Sequence, residues 1–303
     1  MGYPQTVAMS TSSVTYQEPA FAVDMNNHIW LADLELVAPA NTSGKIVLYE
    51  RTATTTWSHG MAITNPNSSG VEQAPRPVFL PLGTGDSGTI GLIFQSYNCL
   101  YWAIVSATSS GTTVSTPIEL SSYSTTPGTC NLPSSQEAVE NSAFSVATDP
   151  SSGDQYLGFV INAATSGDTN IYTLTYQASM GLWIDGQALT MGITFPNHEA
   201  YVKSTFATSG SSTYAYMFIN NGGELAFFLS DTLSGGATMY GSPVYNLLHP
   251  PITGTQNYDN PRIDAPEYID SSYVPVWEQY TSSVDPMTGI EVQSLIYWSN
   301  VPN

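Results

Sequence analysis

The chain has 303 residues, with 5 Lys+Arg against 24 Asp+Glu and a net charge of −19. That balance excludes binding to nucleic acid or to an anionic membrane through electrostatics. It does not imply disorder, because 12% of residues are aromatic and only 10% are charged.

Short apolar segments recur along the chain in pairs, each bounded by Gly, Asn, Asp or Ser. The first members are His28–Leu36, Thr89–Gln95, Gln155–Ile161, Thr213–Ile219 and Tyr273–Gln279. The second members are Gly44–Glu50, Cys99–Val105, Asn170–Tyr176, Gly223–Leu229 and Glu291–Trp298. The pairs repeat at roughly sixty residues, a spacing that points to stacked supersecondary units. The third unit is the fullest. It reads as strands Ala143–Ala147, Gln155–Ile161, Asn170–Gln177 and Trp183–Leu189, with turn chemistry at Asp149–Asp154.

Many of these strands are apolar at nearly every residue, as suits a strand covered on both faces. A radial stack of small sheets supplies that cover. The pattern predicts an all-β, five-bladed β-propeller with four antiparallel strands per blade. The expected blades are 17–66, 74–122, 140–190, 198–248 and 259–300, in a single domain over 1–303. The fifth unit lacks a fourth strand, and Pro4–Ser10 precedes the first strand of unit one. That segment is expected to complete the last blade and remove a frayed edge. No window carries a sustained helical period with capping signals.

No basic leader followed by an apolar run is visible, and no apolar stretch approaches ~18 residues. No membrane insertion is expected. A surface of Ser, Thr, Asn, Gln and Tyr suits an extracellular protein, or one displayed on a cell or virion within a larger assembly. Few basic groups depend on carboxylate partners, so tolerance of acid is expected as well. Asn41-Thr-Ser and Asn67-Ser-Ser are formal glycosylation tripeptides. Cys99 and Cys130 are either a disulfide or two free thiols, since sequence supplies no Cα separation.

Acidic or polar lead-ins open the units: Tyr16–Asp24, Glu72–Pro77, Glu137–Glu140, His198-Glu199 and Asp259–Asp264. First strands of a propeller line its channel, so these acids would gather there. Three readings stay open: a carboxylate pair for glycosidic acid–base work, a calcium site built from oxygen ligands, or solvated loop entries. His28, His59, His198 and His249 are scattered and form no ligand set, and no cofactor motif is present. Trp57, Trp102, Trp183, Trp277, Trp298 and Tyr240 fall on or beside third and fourth strands. Sugar rings stack on such side chains while neighbouring acids accept their hydroxyls. Asp185 beside Trp183 and Glu278 beside Trp277 fit that role, although aromatics between blades also serve as packing.

The rhythm of Tyr214–Asn220, the turn Asn221-Gly-Gly, Glu224–Phe228 and a late Trp or Tyr resembles the blades of propeller lectins, of the fungal fucose-specific and five-bladed tachylectin types. The resemblance implies glycan binding at repeated sites, with a cell-surface or virion partner. The fucose-binding type uses an Arg that these second strands lack. Five-bladed propellers also include glycoside hydrolases of the arabinanase and fructosidase type. That likeness implies Asp24 and Glu140 as base and acid, with Asp264 as auxiliary. Sialidase chemistry requires three arginines in one site, and the chain has only Arg51, Arg76 and Arg262. A non-catalytic structural surface subunit is the remaining reading.

Overall fold

The computed structural model describes residues 7, 11, 13–37, 44–51, 57–58, 60–64, 66, 72–81, 88–96, 99–108, 111–121, 137–149, 151–163, 169–184, 188–189, 201–209, 212–221, 224–230, 240, 244–245, 258–265, 268–270, 273–282 and 294–302. It divides into two compact units, Met1–Ser135 and Gln136–Asn303.

The first unit holds two sheets. β1 (Val14–Val23), β2 (Ile29–Val37), β3 (Gly44–Arg51) and β4 (Met61–Ala62) form an antiparallel meander in chain order. β5 (Glu72–Phe79), β6 (Thr89–Ser96), β7 (Cys99–Thr108) and β8 (Gly111–Val114) repeat it, with β9 (Ile118–Glu119) also on β7. The second unit continues the pattern. β10 (Glu137–Thr148), β11 (Gln155–Ala163), β12 (Thr169–Gln177) and β13 (Leu182–Ile184) form the third sheet, with β14 (Ala188–Leu189) added to β12. β15 (Tyr201–Ser209), β16 (Ser212–Asn221), β17 (Glu224–Leu229) and β18 (Val244–Tyr245) form the fourth. β19 (Tyr258–Asp264), β21 (Tyr273–Ser282) and β22 (Ser294–Pro302) form the last, and β20 (Tyr268–Asp270) leaves that sheet to pair with β15.

The fold is all-β and of the propeller class. Consecutive antiparallel meanders follow one another along the chain, with no helix among the described residues. Within each unit the sheets stack face to face. Trp30, Ala32, Ile46 and Leu48 of the first sheet pack on Ile90, Leu92, Phe94 and Tyr101 of the second. Tyr156, Val160 and Ile171 of the third pack with Phe206, Met217 and Tyr240 beside the fourth. Every residue of β6 is buried, as its unbroken apolar run requires. First strands lie beside first strands: β1 by β5, β10 by β15, and β15 by β19.

The first strands are longer than their sequence suggests, because the lead-ins are themselves strand. Four of them carry a bulge. Glu18-Pro19 interrupts the β1–β2 register, Ala74-Pro75 interrupts β5–β6, residues 140–143 interrupt β10–β11, and Asn260-Pro261 interrupts β19–β21. A proline cannot donate to the ladder, so it sits where the ladder is broken. Glu18 and Ala74 both take positive φ, at 57° and 50°. The carboxylate of Glu18 accepts the Ala74 N–H at 2.6 Å and so ties one bulge to the next. β15 runs in unbroken register with β16 and pairs along its other edge with β20.

The strand expected over Pro4–Ser10 lies outside the described residues except for Val7, which packs against Leu31, Val47 and Tyr49. The lead-in Asp259–Asp264 is part of strand β19, and β20 follows it to pair with β15.

Candidate functional site

Asp24 closes the β1–β2 hairpin. Its carboxylate is buried and accepts from the N–H groups of Asn26 and His28 and from the indole N–H of Trp30, each at 2.9 Å. It also rests against Gly88, where any Cβ would collide with it. His28 Nδ1 lies 3.0 Å from Glu50 and 3.4 Å from Asp24. Burial raises the Glu50 carboxyl above its ordinary range, and His28 opposes that shift. Asp149 opens the equivalent turn of the third sheet, where Ser151 and Ser152 donate to it. Asp24 is thus a turn-forming acid whose lone pairs are taken by the fold.

Asp24 stands at the exit of its first strand, whereas Glu140 stands in the bulge of β10, the place Glu18 holds in β1. Asp264 ends β19 opposite Trp277. Among the described residues, no group of three His, Cys, Asp or Glu side chains is placed to hold a metal ion.

The aromatics expected to bind sugar are largely packing. Trp102 and Trp183 are 3% exposed and Tyr240 is 5% exposed. Trp102 covers Gly91 so closely that a Cβ there would enter its ring. Trp183 tilts against Tyr176, with ring centroids 5.4 Å apart. No ring face is left open on these three, so they are corrected from ligand platforms to core. Trp277 and Glu278 lie on β21 opposite Trp298 and Tyr297, and Asp185 lies outside the described residues. Trp57 differs. It is half-buried, bridges to Arg51, and packs on Leu31, Val47 and Tyr49.

That face of the first sheet, turned away from the second, carries the most chemistry. Register places Tyr16, Glu35 and Lys45 in one row, Asp33 and Val47 in the next, and Phe21, Leu31 and Tyr49 beyond. Phe21 is 59% exposed and Val23 is also exposed. Lys45 meets Glu35 at 2.7 Å and the Tyr16 hydroxyl donates to Glu35 at 3.3 Å. Asp33 is buried with its Oδ1 unpartnered. Burial lifts its carboxyl to about 6, against the N–H groups of Leu34 and Gln17. Tyr49 is pushed well above the ordinary phenol range by burial first, then by Tyr16, Glu35 and Asp33. Sequence reasoning passed over this set. The available signal was Leu31-Ala-Asp-Leu-Glu-Leu36, two acids spaced by two within an otherwise apolar strand, hence on one face.

Cys99 is buried and disulfide-bonded. The chain's second cysteine, Cys130, lies outside the described residues.

No family model matches the chain, and no curated protein matches it in sequence. Solved structures do resemble it in fold. A protein of unknown function from Dyadobacter fermentans aligns at 11% identity with a TM-score of 0.49, over 90% of this chain and 79% of its own. An α-L-arabinanase from Penicillium chrysogenum, complexed with arabinobiose, aligns at 12% with a TM-score of 0.45, over 94% and 76%. The endo-arabinanase from Bacillus licheniformis aligns at 13% with a TM-score of 0.37, over 93% and 92%. Likeness at this level transfers no residue and no activity.

Proposed function

We propose that this chain recognises carbohydrate along the β1 edge of its first sheet, where Phe21 and Val23 are exposed. One observation carries the reading: exposed Phe21 and half-buried Trp57 share a face with Tyr16, Glu35 and Lys45. Flat rings supply stacking surfaces for the C–H faces of a sugar, and the polar row supplies acceptors and donors for its hydroxyls. The Cys99 disulfide supports an exported setting, because such bonds persist in oxidising compartments. Display in many copies would turn weak sites into avid binding.

Glycoside hydrolysis is the second reading, and one observation favours it. Asp33 and Glu35 are two carboxyls on one face in unlike surroundings, the first buried and the second held by a lysine. Such a split is how an acid and a base are assigned in a carboxylate pair. The burial of Asp33 weighs toward binding.

A glycan array probed with wild type and Phe21→Ala tests the first reading. Binding by the wild type and its loss in a variant with an unchanged melting temperature is the expected result. Equal binding by both would refute the site. Reducing sugar released by wild type and not by Glu35→Gln would establish the hydrolase instead.

A further inference from the structure

Asp33 stands opposite the bulge of β1, where Glu18 and Pro19 together face one residue of β2. Phe94, Val160 and Tyr280 hold the corresponding place opposite the bulges of β5, β10 and β19. A carboxyl thus occupies a position that the other bulged sheets give to an apolar or aromatic residue. Pro19 has no N–H to offer across the gap. Asp33 is 7% exposed, and its Oδ1 has no hydrogen-bond partner.

The titratable and charged groups around it are Tyr16 and Glu18 from β1, Glu35 from β2, and Lys45 and Tyr49 from β3. Lys45 is engaged by Glu35, and Glu18 by the Ala74 N–H. Among the described residues, no cation pairs with Asp33. Ionising a buried carboxyl is costly, and a proton on it removes the cost. The cheapest relief for the charged form is water reaching Oδ1, and the bulge is where the ladder is already broken.

We propose that protonation of Asp33 latches the β1 bulge against β2, and that its ionisation opens the bulge and frees Tyr16 from Glu35. The latch regulates the carbohydrate surface described above and rests on that reading for its purpose. Its direction follows from linkage. The folded carboxyl sits near 6 against an ordinary 3.8, so the latched form holds the proton more tightly. Latching is therefore complete below about pH 4 and lost progressively as pH rises to about 6. A shift of about two pH units caps the change in the opening equilibrium at about 100-fold.

Amide hydrogen exchange of the full chain at pH 5 and pH 7 tests the latch without any ligand. The expected result is a fall of about 10-fold in protection at Glu18 and Ala20 between the two pH values, confined to this segment. Asp33→Asn should remove the pH dependence. Unchanged protection in wild type, or an equal fall in Asp33→Asn, would overturn it. Wild type alone decides the first of these should the variant fail to fold. A working latch with an empty glycan array would overturn the carbohydrate reading and leave the latch standing.

Discussion

Gly91 lies beneath the indole of Trp102, across the β6–β7 pair. A methyl group there would enter the ring and come within 2.8 Å of Val78 Cγ2, well inside ordinary contact. Both neighbours are buried, at 3% and 6% exposure, so neither can swing into solvent. Overpacking of this kind costs about 1–3 kcal/mol, and two fixed obstacles place Gly91→Ala at the upper end. For a unit of this size, about 3 kcal/mol lowers the melting temperature by about 6–12 °C. Circular dichroism melts of Gly91→Ala, Trp102→Phe and the double variant measure it. The smaller ring opens the space that alanine needs, so the double variant should recover about 1–2 kcal/mol relative to the sum of the singles. A Gly91→Ala protein melting with the wild type, or strict additivity, would refute the packing role of Trp102 and reopen its face as a ligand platform.

Asp24→Asn should lower stability by about 2–3 kcal/mol, because a buried acceptor of three N–H groups loses its charge, and it should leave glycan binding intact at temperatures where the protein is folded. Chemical denaturation beside the array separates the two effects. Reduction of the Cys99 disulfide should cost about 2–5 kcal/mol, seen as a lower melting temperature in dithiothreitol and in Cys99→Ser alike.

β6 and β11 were legible because both their faces are buried, which leaves an apolar run with little ambiguity. β6 and β7 match their sequence reading to within a few residues. The first strands were not. Pro19, Pro75 and Pro261 break the pattern, and a proline inside a strand reads as a lead-in unless the bulge is anticipated. The aromatic positions were found, but periodicity cannot say which face of a sheet its neighbour covers. Trp102 and Trp183 therefore read as candidates and lie in the core. Asp33 and Glu35 were passed over for the opposite reason: a strand rich in Leu masks the two acids it carries. The disulfide was undecided because chain spacing leaves the distance between two cysteines open.

β20 breaks off from the last sheet and lies parallel to β15, with Phe206, Ala207 and Thr208 beside Tyr268, Ile269 and Asp270. Two neighbouring sheets are thereby threaded through one another by a single crossing of the chain. Peeling the final three strands away must also strip an edge from the sheet before it. The C-terminal third should therefore come apart in one step, with no state in which the last sheet alone has been lost.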